Sequence, residues 1–236
     1  MKKIVVLSGS GISAESGIST FRGGNGLWDN CRVEDVATPH GWMLDPEYVL
    51  NFYNERRAQL RDAAPNAAHI ALAELEKDFQ VCVITQNVDN LHERAGSSNI
   101  IHLHGELTKV RPENCYTDRD GYSEKFVQDI GYEPVHLGDK GANGVQLRPH
   151  IVWFGEAVPN IEKAAKEVMD ADILLIVGTS LAVYPAAGLW QYAPYDCKIF
   201  VVDPESVPTD GNKRITHIKD VATKGVRKFV ETVKAL

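Results

Sequence analysis

Four short motifs set small, amide, carboxylate and imidazole residues directly after apolar runs. The first, Gly9-Ser10-Gly11-Ile12-Ser13-Ala14, follows the run at 4–7. Its spacing satisfies G-x-G-x-x-[G/A], in which small residues admit a pyrophosphate and a helix N-terminus supplies N–H donors. The same residues also suit a tight turn that holds no ligand. The acidic residue usual about 20 positions on is missing, and no Tyr-x-x-x-Lys pair occurs, so an ordinary dehydrogenase is disfavoured.

The second motif, Thr85-Gln86-Asn87-Val88-Asp89-Asn90-Leu91-His92, lies at the carboxyl end of the run at 81–84. Ligands of open α/β sheets bind at that edge. Gln86, Asn87 and Asp89 can hydrogen-bond a ribose or an amide, or form an Asx turn that caps the next helix. In the third, Ile101-His102-Leu103-His104-Gly105, alternation sets both histidines on one face. His104 is nearer the strand mouth and is the expected general base, with His102 the structural partner. The fourth, Gly178-Thr179-Ser180, offers hydroxyls and backbone donors after the run at 173–177. Asp203, ending the run at 199–202, is placed to reach a ribose.

A helix expected at 46–60 carries the stripe Val49, Phe52, Tyr53, Arg56 and Leu60. Tyr53 and Arg56 are neighbours on a helix surface and can converge on one guest, for which the guanidinium would be a bidentate carboxylate partner. Alternatively, Arg56 snorkels past the apolar edge.

The elements that must position these groups alternate between strand and helix. Strands are expected at 4–7, 81–84, 100–103, 151–154, 173–177 and 199–202, several apolar throughout as in a parallel sheet covered on both faces. Helices are expected at 46–60, 67–78, 161–169 and 221–233, with Asn66 and Asp220 as N-caps. The fold class is therefore α/β: a Rossmann-type parallel sheet with helices on both faces, plus a small insertion domain. Residues 1–20, 64–107 and 148–236 are assigned to the large domain. Residues 21–63 and 108–147 are assigned to the small one, the second stretch being rich in Gly and Pro and showing no convincing element.

Composition narrows the function. At 44% hydrophobic and 24% charged, the 236 residues are those of an average globular chain, which excludes disorder and coiled coil. No apolar run approaches the ~20 residues of a membrane span, so a cytoplasmic protein without membrane association is expected. A net charge of −7 with scattered basic residues argues against nucleic acid. The four cysteines, Cys31, Cys82, Cys115 and Cys197, contain no Cys-x-x-Cys and read as free thiols.

Together the ordered motifs resemble the sirtuin family of NAD-dependent protein deacylases. Gly9 to Ile18, Gln86-Asn87-Val88-Asp89, Leu103-His104-Gly105, Trp153-Phe154-Gly155-Glu156 and Gly178-Thr179-Ser180 are similar to its markers, in order. Tyr53 and Arg56 resemble the pair marking its class III branch, which removes succinyl and malonyl groups. The resemblance implies NAD as a consumed co-substrate, bound by Gly9, Ser10, Gly11, Ile12, Ala14, Glu15, Phe21, Arg22, Trp28, Gln86, Asn87, Asp89, Gly178, Thr179, Ser180, Asp203 and Ala222. It implies His104, Asn87 and Asp89 as catalytic, and Tyr53, Arg56, Val152, Phe154, Gly155 and Glu156 around an acyl-lysine tunnel. The reaction implied is attack of the acyl oxygen on C1′ of the nicotinamide ribose, leaving free lysine, nicotinamide and an O-acyl-ADP-ribose. The partners implied are acylated lysines of proteins, met by a monomer.

Three departures stand out. Ser10 and Ser19 replace a usual alanine and proline. The family's paired Cys-x-x-Cys motifs are missing, and between Leu107 and Leu147 only Cys115 and His136 remain as ligands, so no structural zinc is expected. Packing must then hold the small domain, with Tyr116, Tyr122, Phe126, Ile130 and Tyr132 as a mini-core. Readings that compete with acidic deacylation are deacetylation, ADP-ribosyl transfer, and a non-catalytic NAD- or acyl-lysine-binding module.

Overall fold

The computed structural model describes residues 1–20, 27–28, 31–114, 124–207 and 214–236. Its strands in chain order are β1 (Lys3–Ser8), β2 (Leu27–Trp28), β3 (Cys31–Arg32), β4 (Gln80–Thr85), β5 (Ile100–His102), β6 (Gly105–Pro112), β7 (Gln128–Asp129), β8 (Leu147–Ile151), β9 (Ile173–Val177), β10 (Lys198–Val202) and β11 (Ile215–Ile218). The helices are α1 (Val33–Val36), α2 (Pro39–Leu44), α3 (Pro46–Asp62), α4 (Ala67–Glu74), α5 (Leu91–Ala95), α6 (Ile161–Met169) and α7 (Ala222–Lys234).

Six strands form a parallel sheet in the order β11-β10-β9-β1-β4-β5. From β1 the chain builds outward to β4 and β5, then returns beside β1 with β9 and continues to β10 and β11. The order reverses between β1 and β9, so the carboxyl ends of those two strands form the switch-point crevice of a doubly wound sheet. The central strands are unbroken apolar runs because both faces are covered: Val5, Leu7, Ile84, Leu174 and Ile176 pack toward α6, whereas Ile4, Val6, Val83 and Leu175 pack toward α4 and α7.

A third apolar cluster lies outside this sheet. It joins Val49, Leu50, Phe52, Tyr53 and Leu60 of α3 to Leu107, Val110, Leu147, Ile151 and Trp153 around an antiparallel sheet, β7-β6-β8. Helix α3 begins at a proline capped by Asp45, whose Oδ1 accepts from the Tyr48 N–H at 2.9 Å. Asn66 caps α4 as expected, whereas Asp220 stands one residue before the cap of α7 and accepts from the Val221 N–H.

Several expectations are corrected. The segment at 151–154 is not a strand of the parallel sheet; β8 ends at Ile151 and the chain turns. Residues 108–147 are not without elements, since β6 runs into them and pairs with β8. The glycine motif leads into two single 3-10 turns, Ser10–Ile12 and Ala14–Ser16, instead of a regular helix; the first ends at Ser13 and the second at Gly17, which adopts φ +83°. Of the expected mini-core, Ile130 and Tyr132 pack against the α3 cluster and Phe126 is half-buried, while Tyr116 and Tyr122 lie outside the described residues. His136 is exposed, and Cys115 lies outside the described residues.

At the switch point the two turns touch through backbone. Gly11 N–H donates to Gly178 O at 2.8 Å and Gly9 N–H to Val177 O at 3.0 Å. Gly178 has φ +62°, and a Cβ there would stand 2.3 Å from Ile12 N. Gly178→Ala is therefore expected to destabilise the fold by about 3 kcal/mol or more. Gly17→Ala, with a positive φ but open space, should cost only about 1–2 kcal/mol. Thermal unfolding of both variants checks the difference.

Candidate active site

A cleft of about 240 Å³ opens at the switch point. Its lining includes a polar group, Gly9, Ser10, Gln86, Asn87, Asp89, His104, Gly178 and Thr179, and a more apolar group, Gln59, Leu60, Leu107, Ile151, Val152, Trp153 and Phe154 with Arg56. Ser19 and Trp28 line it as well. It is concave and mainly apolar with a few convergent polar groups, the form of a small-molecule site.

The polar end is built around Ser13, which sequence reading did not select. Its Oγ donates to Asp89 Oδ2 at 2.8 Å and accepts from Asn87 Nδ2 at 3.1 Å. Behind it is His69, the polar residue on the buried face of α4, which accepts the Asn66 N–H at Nδ1 and points Nε2 at Ser13 Oγ, 3.5 Å away. Its ring packs edge-on to that of His92, centroids 4.9 Å apart, and His92 Nε2 meets Ser8 Oγ at 3.0 Å. The usable signal was a histidine in the otherwise apolar Ala67-Ala68-His69-Ile70-Ala71-Leu72. Asp89 forms the Asx turn read for it, Oδ1 accepting from the Leu91 N–H at the start of α5, while Oδ2 holds Ser13. Burial pushes its carboxyl upward, against those two hydrogen bonds.

His104 donates from Nδ1 to the carbonyl of Gln86 at 3.0 Å, which leaves Nε2 as the lone-pair nitrogen on a cleft-lining ring. Burial lowers its pKa below the ordinary histidine range, only partly opposed by the Gln86 carbonyl. The ring is therefore neutral near pH 7, the state a base requires. Gln86 Nε2 donates to Thr179 Oγ1 at 3.0 Å, linking the ends of β4 and β9 across the cleft.

At the apolar end the expected pair separates. Arg56 lines the cleft with Cζ 3.5 Å from the centroid of the Phe52 ring, and its Nη1 donates to Phe52 O at 2.8 Å. Tyr53 does not line it; the ring is fully buried and its oxygen accepts from Trp153 Nε1 at 3.0 Å. Helical spacing sets both residues on one stripe, but the indole of Trp153 claims the phenol. Gln59, one turn beyond Arg56, lines the cleft instead and was not foreseen.

Other expected residues take different parts. Glu156 lines the cleft, but its carboxylate holds Arg148 at 2.7 and 3.1 Å, Arg111 at 3.4 Å and the Trp153 N–H at 2.8 Å. Those arginines keep it ionised against the upward push of burial. Gly155 takes φ +91° in the same turn. The Val152 and Phe154 N–H groups donate to His104 O and Ala37 O, both at 2.9 Å. Glu15 accepts from the Thr223 N–H and hydroxyl at 2.9 and 2.8 Å, securing the first turn of α7. Ile12 and Ala222 sit in the core beneath the sheet. Asp203 closes its own turn through the Glu205 N–H. Ala14 and Ser180 are exposed, and neither they nor Asp203 line the cleft. Phe21 and Arg22 lie outside the described residues.

The Sir2 family model matches residues 9–185. An NAD-dependent protein deacylase of Bacteroides thetaiotaomicron is 56% identical over 231 residues, 97% of each chain. One of Helicobacter pylori is 53% identical over 206 residues, 87% of this chain and 86% of its own. Among solved structures, a Sir2 homologue in complex with NAD is 38% identical with a TM-score of 0.85, covering 99% of this chain and 90% of that one. A Sir2–p53 peptide–NAD+ complex is 28% identical with a TM-score of 0.77, covering 99% and 94%.

Two outcomes are expected of this site. His104→Ala should keep NAD affinity, read by calorimetry, while turnover falls by about 10²–10⁴-fold. In the folded state burial lowers His69 to about 4 and His150 to about 3, against an unfolded value of ~6.5. Below that value the unfolded chain binds more protons, so stability falls as pH drops from ~6.5 toward 4, by about 1.4 kcal/mol per pH unit per ring. Denaturant titrations at pH 7, 6 and 5 read this slope.

Proposed function

For a chain that belongs to the Sir2 family and acts as an NAD-dependent protein deacylase, we propose a preference for acidic acyl groups, succinyl and malonyl, with acetyl also accepted. Arg56 carries the proposal. It brings a guanidinium to a part of the lining that carries Gln59 and the apolar Leu60, Leu107, Ile151 and Trp153. A plain acetyl group makes no use of a cation there, whereas an acyl carboxylate pairs with it bidentately. Arg56 also meets Glu55, 3.3 Å from Nη1, but the Glu55 side chain is 72% exposed. Solvent screens the exposed Glu55 carboxylate, so it holds the buried guanidinium weakly and yields to a carboxylate inside the cleft.

The polar end suits the second reactant. Asn87 and Asp89, fixed through Ser13, present amide and carboxylate oxygen to ribose hydroxyls. Gly9, Ser10, Gly178 and Thr179 let backbone approach a phosphate closely. When bound there, NAD supplies a glycosidic bond to nicotinamide whose cleavage makes C1′ electrophilic. His104, neutral with Nε2 available, would take a proton from a ribose hydroxyl. Trp153 and the apolar wall exclude water from the acyl group. The products under this reading are free lysine, nicotinamide and an O-acyl-ADP-ribose. We further propose that the enzyme works as a cytoplasmic monomer on acylated protein lysines, with no nucleic-acid or membrane partner and no zinc.

The test is mass spectrometry of matched succinyl-lysine and acetyl-lysine peptides with wild type and Arg56→Met. Desuccinylation is expected to drop at least tenfold, the loss of one charge-assisted pair, with deacetylation spared. Equal effects on both peptides would remove Arg56 from substrate selection.

A further inference from the structure

The contacts of His102 fix its charge. Nδ1 lies 3.2 Å from the backbone oxygen of Asn87, and Nε2 lies 2.6 Å from Glu93 Oε1. A carbonyl oxygen and an ionised carboxylate both accept only, and a neutral imidazole has one N–H to give. Both contacts are hydrogen bonds together only when the ring is doubly protonated. His104, two residues on, has a single protein acceptor and needs a single proton.

The groups around His102 favour that state. Glu93 comes from α5; Glu106 on β6 adds a second carboxylate, itself paired with Lys109 at 2.6 Å. His92 of α5 and His150 of β8 also face it, and burial holds both neutral at pH 7. Asp89 lies in the neighbouring turn, and its carboxyl is pushed upward by burial. Burial opposes the His102 cation, but Glu93, Glu106 and the Asn87 carbonyl outweigh it and raise its pKa. Glu93 is lowered in turn, since His102 overcomes its own burial.

We propose that His102 is a positioning residue whose imidazolium ties the Asn87 backbone to Glu93 and so sets the 86–89 turn that presents Gln86, Asn87 and Asp89 to the cleft. The proposal rests on the reading that those side chains hold NAD. When the ring loses one proton, the remaining one stays on Nε2, because a carboxylate is the stronger acceptor. The Nδ1 lone pair then faces the Asn87 oxygen, and the turn loses its tie. Because the pKa is raised, the tie survives to higher pH than an unperturbed histidine would allow and is lost as pH rises through the raised value.

Nitrogen-15 NMR of histidine-labelled full-length protein without NAD reads the ring directly. Both His102 nitrogens are expected to be protonated at pH 7 and to titrate above ~6.5; a neutral ring at pH 7 overturns the proposal. Glu93→Gln supplies the functional arm. Its amide donates to Nε2, so a neutral ring keeps its one proton for Asn87. In wild type, KM for NAD should rise roughly tenfold, the loss of one charge-assisted hydrogen bond, across the His102 titration, with kcat changing less. In Glu93→Gln it should stay flat over the same window. Parallel rises in the two proteins, or no rise in either, overturn the positioning role even if the ring is charged. Calorimetric NAD binding to wild type at pH 7 is the separate check on the underlying reading. If NAD fails to bind there, that reading falls, and the functional role of His102 with it.

Discussion

Everything at this site depends on how closely two strand ends can approach. Where the sheet reverses order, β1 and β9 run side by side and both turn outward at their carboxyl ends. Gly9 and Gly11 lie directly against Gly178, with backbone hydrogen bonds of 3.0 and 2.8 Å closing the contact. Side chains there would hold the turns apart. With the turns touching, Ser13 swings over the end of β4 and reaches Asn87 and Asp89, while Gln86 reaches Thr179 on the far side. The glycines were read as room for a phosphate. Their first duty is room for each other, and the narrowness of the crevice follows from it.

Once β4 and β5 end beside that crevice, two histidines of one short segment acquire opposite electrostatic roles. His104 is given one carbonyl acceptor and burial, which keep it neutral with a nitrogen available as a base. His102 is given a carbonyl and a carboxylate, which keep it charged. The difference lies entirely in what the neighbouring elements present: backbone of the 86–89 turn to one ring, and α5 with its Glu93 to the other. Residue type is the same for both and they stand two residues apart, His102 ending β5 and His104 in the bend before β6, so charge state is a tertiary property here.

That distinction marks what the sequence could disclose. The strands β1, β4, β9 and β10 were legible because a parallel strand covered on both faces is an uninterrupted apolar run. Strand β11 was not, because this edge strand leaves Thr216 and His217 exposed and carries no such signature. The antiparallel pairing of β6 with β8 joins segments about 40 residues apart through glycine- and proline-rich chain, and local pattern says nothing of it. At the site, the glycine turns, Asn87, Asp89, His104 and Arg56 were marked by local motif. Ser13, His69 and Gln59 were missed because their meaning comes from elements that meet only in the fold.

The separation of Tyr53 from Arg56 shows how the fold reassigns a residue without discarding it. Glu156 binds Arg148 and Arg111 in a nearly buried network, and the Arg148 guanidinium stacks 3.2 Å from the centroid of the Trp153 ring. Trp153 in turn donates its indole N–H to Tyr53 on α3. Removing one member of a buried ion pair typically costs 3–5 kcal/mol, on the order of a domain's whole margin, so this chain of contacts is stiff. It fixes the rotation of α3 about its axis relative to the 152–156 turn. Tyr53 is pinned on its buried side, and Arg56, three residues on along the same helix, lines the cleft. The phenol therefore stands behind the guanidinium that lines the cleft, and the carboxylate of Glu156 stands two contacts further away, through Trp153.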